Sequence, residues 1–256
     1  MKAVLRWVAL VLACAAAFGL GLAWPVLVRP PLVVGQDAIS DAASLSVTVS
    51  VEDADGRVVV ARPAAGTRLQ PVLVIVYPGG LVRPQAYEWL ARRLAGAGYL
   101  SVIPEFPFDL AVTQTGRASA LIARYAAGRQ VVLAGHSLGG AMAAQYLADE
   151  AKAGRNPVAG LVLMGAYPPD GASLAALPIK ALSLQGEHDQ VAAATKVEAG
   201  MALLPPGSRR VVIPGSVHSF FGRYGPQSGD GTPTVSRDAA EADIVEAFQG
   251  LLSGLG

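Results

Sequence analysis

Three residues of this 256-residue chain have the types and order to do chemistry together: a serine between glycines, a carboxylate after a glycine, and a later histidine. The serine sits in Gly135-His136-Ser137-Leu138-Gly139-Gly140, directly after the apolar run Val131-Val132-Leu133-Ala134 and before a small-residue stretch of helical character. In a chain with 29 glycines the string alone says little. Its context says more, because a strand that ends at Gly135 and a helix that begins at Leu138 form the setting of a nucleophile elbow. There the serine takes a strained turn, and the flanking glycines let helix and strand approach closely. A serine hydroxyl is a weak nucleophile until a base takes its proton and donors hold the developing oxyanion. The plainer alternative is that Ser137 only caps a helix after a glycine turn.

A working serine needs its acid and histidine further along the chain. Of the three histidines only His218 lies well downstream, in a loop after the apolar segment Arg209–Ile213. His136 belongs to the elbow, where it would pack or line the site, and His188 stands in Gln185-Gly186-Glu187-His188-Asp189. Asp189, after the glycine turn, is the first candidate for the acid that orients His218, Glu187 the second and Asp170 the third. For the oxyanion, the Leu138 amide at a helix N-terminus is one expected donor. The second should come from Tyr77-Pro78-Gly79-Gly80-Leu81, with the Gly80 amide the first choice and Leu81 the second. Phe106 and Phe108, in Glu105-Phe106-Pro107-Phe108 after another strand, are candidate pocket walls or core residues.

These residues need a scaffold that carries them at strand ends, and the apolar pattern supplies one. Leu45–Val51 alternates strictly, as a half-buried strand does, and Asp53-Ala54-Asp55-Gly56 turns it into Arg57–Ala61, an antiparallel hairpin. Val72–Tyr77 is continuously apolar, which suits a strand buried on both faces. Further strands are predicted at 99–103, 130–134, 158–164, 179–184 and 209–213. Helices are predicted from Pro84 to Gly96, over 119–127, 138–153 and 191–203, and over 238–251 with Ser236 as N-cap. The alternation predicts an α/β fold with one open, mostly parallel sheet and helices on both faces.

At the other end of the chain, Lys2 and Arg6 precede an uncharged stretch from Trp7 to Val28, about 22 positions, enough to cross a ~30 Å hydrocarbon core. This predicts a transmembrane anchor or a cleaved signal helix over residues 1–29, with a weak cleavage site after Ala23. Val11-Leu12-Ala13-Cys14 only loosely matches a lipoprotein box, because apolar residues follow Cys14. A linker over 30–42 and one α/β domain over 43–256 would follow, outside the cytoplasm, membrane-attached or secreted. The net charge of +1 excludes a nucleic-acid footprint, a single cysteine excludes an internal disulfide, and three histidines argue against a multi-histidine metal site. No metal or cofactor is expected, and the partner class is a small-molecule ester.

The segments Tyr77-Pro78-Gly79-Gly80, Gly135–Gly140, Gly186-Glu187-His188-Asp189, His218-Ser219-Phe220-Phe221-Gly222 and Tyr224–Gly231 together resemble the α/β-hydrolase superfamily. More narrowly, they look like a small lidless bacterial branch with a Tyr-Pro-Gly-Gly oxyanion loop, loosely similar to dienelactone hydrolase-like esterases. The resemblance runs from about Pro71 to Phe248 and implies a Ser137–Asp189–His218 triad that cleaves esters through an acyl-enzyme. Pro78 stands where many relatives carry histidine. Ser137 stands where dienelactone hydrolases use cysteine, which favours plain ester hydrolysis. Two other readings share the scaffold: an acyltransferase, and a non-catalytic membrane-anchored binding protein.

Overall fold

The computed structural model describes residues 2–27 and 47–255 of the chain. The N-terminal unit is one helix, α1 (Lys2–Leu27), over the apolar stretch that predicts it. Its described side chains, Arg6 to Gly21, are exposed. Among the described residues no helix is long and apolar enough to cross a membrane. The expected linker at 30–42 and the start of the first predicted strand, Leu45-Ser46, lie outside the described residues.

The second unit is built on an eight-stranded sheet in the order β1-β2-β4-β3-β5-β6-β7-β8. Its strands are β1 (Thr48–Asp53), β2 (Arg57–Arg62), β3 (Val72–Tyr77), β4 (Leu100–Pro104), β5 (Gln130–His136), β6 (Gly160–Met164), β7 (Lys180–Gly186) and β8 (Arg209–Ile213). The hairpin β1–β2 forms as its turn residues dictate: Asp55 and Gly56 take positive φ, and Asp53 Oδ1 accepts the Gly56 N–H at 3.1 Å. β2 pairs antiparallel with β4, and every neighbour from β4 through β8 is parallel.

Period-two alternation in the parallel strands explains the layers. Val72, Val74 and Val76 face one core with α2 (Glu88–Gly96) and α6 (Arg237–Leu252). Leu73, Ile75 and Tyr77 face the other with α3 (Arg117–Tyr125) and α4 (Leu138–Lys152). A strand buried on both sides has no polar face, which is why β3 reads as an unbroken apolar run. The segment from Pro84 opens as a 3-10 turn (Pro84–Tyr87) before α2, with Pro84 at its first position, where the missing N–H would have no partner in any case. The predicted 191–203 helix shortens to α5 (Ala194–Gly200) and a 3-10 turn at Met201–Leu203. Ser236 caps α6, its hydroxyl accepting the Ala239 N–H at 3.2 Å.

What matters for function is the register. Tyr77 of β3 pairs with Gly135 of β5, His136 with Met164 of β6, and Gly186 of β7 with Ile213 of β8. The carboxyl ends of the parallel strands therefore finish level, and the loops that leave them share one edge of the sheet. In open α/β sheets this edge is where ligands are met.

Candidate active site

Ser137 leaves β5 at φ 51° and ψ −123°, outside the regions open to most residues. Such a conformation costs of order 1–3 kcal/mol and persists only where the surroundings enforce it. The enforcing contacts are visible. The Ser137 N–H donates to the Met164 carbonyl at 3.0 Å, and the Ser137 carbonyl accepts the Ala141 N–H at 3.1 Å. Helix α4 starts so close to β5 that a Cβ on Gly135 would stand 2.5 Å from the Gly139 oxygen and 2.6 Å from the Gly140 Cα. The glycines of the string thus permit the crossing that throws Ser137 forward, which goes beyond a capping role.

His218 opens a 3-10 turn (His218–Phe221) beyond β8, and Asp189 lies in the loop beyond β7. His218 Nδ1 meets Asp189 Oδ2 at 2.8 Å, with both side chains buried. The other carboxylate oxygen, Oδ1, accepts the Val191 and Ala192 N–H groups at 2.9 and 2.7 Å, which fixes the carboxylate plane. Glu187 is occupied elsewhere, accepting the Gly215 N–H at 2.7 Å, and Asp170 is exposed in the turn after β6. His188 is part-exposed beside Thr234. His218 Nε2 is buried without a hydrogen-bond partner among the described residues. Ser137, Leu138, Gly165, Ala166, Val191, Ala192 and His218 line one cleft of about 310 Å³, together with Ala141, Tyr167 and Pro169. Apart from Ser137, His218 and the Tyr167 ring its side-chain lining is aliphatic, and among the described residues no acidic, lysine or arginine side chain lines it.

The two oxyanion choices separate clearly. The Leu81 N–H, the second choice, donates to the Asp109 carbonyl at 2.8 Å and is therefore committed to holding the loop. Gly80 packs against Leu138, since a Cβ there would stand 3.2 Å from Leu138 Cδ2. Neither the Gly80 nor the Leu138 amide shows a hydrogen-bond partner among the described residues. The Gly79 N–H turns the other way and donates to the Tyr87 hydroxyl at 2.8 Å.

Of the three residues offered as pocket or packing residues, His136 and Phe106 take the packing alternative. His136 is buried and absent from the lining of the serine cleft. Its ring lies 4.5 Å from that of His218, centroid to centroid, and its Nδ1 is 2.7 Å from the Tyr87 hydroxyl. Burial, and then the neighbouring His218, hold His136 well below the usual histidine range, so it is neutral. Phe106 is buried edge-on against Tyr77, and Phe108 is exposed. Both line a neighbouring cleft of about 470 Å³, next to Arg83, Glu105 and Asp109. Phe108 and Asp109 both take positive φ, and the Asp109 carbonyl accepts the Leu81 N–H.

Three residues that the sequence analysis did not single out lie against these groups. Asp230 reaches back from the Gly/Pro-rich tail and accepts the His218 and Gly231 N–H groups with Oδ1, at 3.0 and 2.8 Å, and the Ser219 N–H with Oδ2 at 2.8 Å. It caps the turn that carries the histidine. Gly165, at the end of β6, has φ +50°, and a Cβ there would stand 2.8 Å from His218 Nδ1 and 2.9 Å from Asp189 Oδ2. Tyr87 is the third, wholly buried, its hydroxyl against Gly79. Only Asp230 had a sequence hint, as an aspartate in a turn-rich segment that follows His218.

This fold and strand-end arrangement define a class. The profile of the alpha/beta hydrolase family matches residues 73–242, two-thirds of the chain. The chain belongs to the alpha/beta hydrolase family. Among solved structures, a mutant of the esterase rPPE superposes with a TM-score of 0.61 at 18% identity, covering 86% of this chain and 87% of that one. A predicted CIB-like hydrolase from Thermoplasma acidophilum gives 0.56 at 16% identity, covering 80% and 99%. At those identities the likeness is one of fold. No curated protein matches the sequence.

Proposed function

We propose that the domain is a serine ester hydrolase acting through an acyl-enzyme. His218 Nε2 takes the Ser137 proton as Ser137 Oγ attacks the ester carbonyl, and Asp189 keeps Nδ1 protonated and steadies the imidazolium. The Gly80 and Leu138 amides receive the oxyanion. His218 then returns the proton to the leaving alkoxide, which departs as alcohol. Water enters, gives its proton to His218 and attacks the acyl group. Collapse of that second tetrahedral species releases the acid and restores Ser137.

The observation that carries this reading is the buried His218–Asp189 pair, whose remaining nitrogen is unpartnered in the cleft that also holds the strained Ser137. The aliphatic lining favours an uncharged acyl group of modest size, because a carboxylate there would lose its water without meeting a cation. The N-terminal helix belongs to the same reading as an export device, retained or cleaved, that carries the domain out of the cytoplasm. Intact mass of the membrane-extracted protein distinguishes the two forms. Activity is tested with p-nitrophenyl esters of increasing acyl length. A stoichiometric burst followed by slower turnover, lost in Ser137→Ala, is the expected result, and the absence of hydrolysis for every ester would refute the proposal.

A further inference from the structure

The hydrolase reading uses Ser137, His218, Asp189 and two amides, and it leaves unexplained a buried polar cluster directly beneath them. Tyr87 and His136 are both wholly enclosed, and burial pushes the Tyr87 hydroxyl up, so its proton stays in place. That hydroxyl has two neighbours. It accepts the Gly79 N–H at 2.8 Å, and it lies 2.7 Å from His136 Nδ1. A tyrosine oxygen that already receives an N–H has one proton to give, and His136 Nδ1 is its acceptor. His136 is then the neutral Nε2–H tautomer, in keeping with the burial that keeps it uncharged. Around the ring stand His218 at 4.5 Å, Tyr87 at 5.8 Å, Phe221 at 5.7 Å and Tyr224 at 6.1 Å between centroids. No acidic or cationic partner is hydrogen-bonded to His136 among the described residues.

We infer that Tyr87 and His136 are positioning residues that tie the oxyanion loop to the general base through one hydrogen-bonded chain, Gly79 N–H to Tyr87 Oη–H to His136 Nδ1. The inference rests on the ester-hydrolase reading. The Tyr87 hydroxyl holds the peptide that ends in the Gly79 N–H, and the Gly79 carbonyl, which accepts the Val82 N–H at 3.2 Å, holds the next one; with both planes fixed, the Gly80 N–H, the oxyanion donor in this reading, has one direction. A donor must be aimed where charge develops, and its orientation has to be in place before the reaction. At the other end, the His136 ring lies against His218 and precedes Ser137 in the chain, so a single rigid unit touches nucleophile, base and oxyanion loop. A neutral His136 also takes no proton that His218 must hold.

The test removes one oxygen. Tyr87→Phe keeps the ring and breaks both bonds. Its kcat is expected to fall about 10- to 100-fold, less than complete loss of a donor, with KM within about twofold. Affinity for an alkyl boronic acid, which mimics the tetrahedral species on Ser137, should fall by the same factor, a match that loss of stability alone does not produce. His136→Asn places an amide acceptor near the Nδ1 position and should recover most of the activity lost in His136→Ala. Tyr125→Phe, which removes a hydroxyl bonded to Glu52 outside the cleft, serves as control and keeps wild-type kcat. Nitrogen NMR of the unmodified protein should show His136 neutral with the proton on Nε2. A folded Tyr87→Phe with kcat and boronate affinity within twofold of wild type, or a proton on His136 Nδ1, would overturn the inference. A wild-type protein inert to all esters and to boronates would instead refute the hydrolase reading, and the catalytic role of the chain with it.

Discussion

Gly165→Ala puts the arrangement of the histidine and its acid under direct stress. The new methyl carbon would stand 2.8 Å from His218 Nδ1 and 2.9 Å from Asp189 Oδ2, where ordinary contact begins near 3.4 Å. Both side chains are buried and bonded to each other, so they must retreat as a pair by about 0.5 Å, the tolerance within which catalytic groups have to be held. An alanine at φ +50° adds backbone strain of roughly 1–2 kcal/mol, and the overpacking adds roughly 1–3 kcal/mol. Unfolding should accordingly occur at a lower temperature, by about 2–4 °C for each kcal/mol in a domain of this size. The displaced base should lower kcat about 10- to 100-fold. The assay compares kcat on a p-nitrophenyl ester and the thermal midpoint with those of Gly207→Ala. Gly207 has φ +83° and open space where its Cβ would lie, so that variant carries the strain without the clash. It should lose stability and keep its kcat. If Gly165→Ala keeps kcat within twofold of the parent, the reasoning that this glycine makes room for the His218–Asp189 pair is wrong.

Asp230→Ala leaves two N–H groups of the histidine turn, His218 and Ser219, without their acceptor, and it should cost about 1–3 kcal/mol of stability together with a loss of kcat that Asp230→Asn partly restores. Calorimetry and steady-state kinetics on both variants check this. Glu241→Ala removes the buried carboxylate that accepts from the Arg223 guanidinium at 2.7 and 2.6 Å; a loss of about 3–5 kcal/mol in a urea titration is expected, with little change in KM. Glu52 is held down to about 2 chiefly by its hydrogen bond to Arg62, with Ser50 and Tyr125 assisting. A carboxylate depressed on folding contributes stability that is fully present above its ordinary range near 4.5 and is lost as the pH falls toward 2. The Arg62→Met variant should therefore unfold at a lower temperature than the parent at pH 7, with the gap closing toward pH 2.

Sequence patterns revealed the layers and the elbow because both are local. The unbroken run Val72–Tyr77 can only be a strand covered on both faces, and the strand–serine–helix junction is contained in ten residues. The pairing of His218 with Asp189 came from chain order and from the scarcity of histidines. The rest depends on contacts that periodicity does not record. Strand order places β4 between β2 and β3, and no apolar pattern says so. Tyr87 meets His136 across 49 positions and Asp230 meets His218 across 12, each through a polar atom in an otherwise ordinary residue. Phe106 and Phe108 read equally as pocket walls or core residues, since both follow a strand. The positive φ of Phe108 and Asp109 has no marker such as glycine or asparagine at Phe108. The choice between Gly80 and Leu81 likewise depends on where the Asp109 carbonyl arrives.

The most direct measurement of the central claim is the site of fluorophosphonate attachment. The full chain is treated with the reagent, digested, and its adduct located by mass spectrometry, beside folded Ser137→Ala and His218→Ala variants. The account predicts rapid modification confined to Ser137, absent in the first variant and slowed by orders of magnitude in the second. Modification of another residue, or unchanged labelling of Ser137 in the His218→Ala variant, would contradict it.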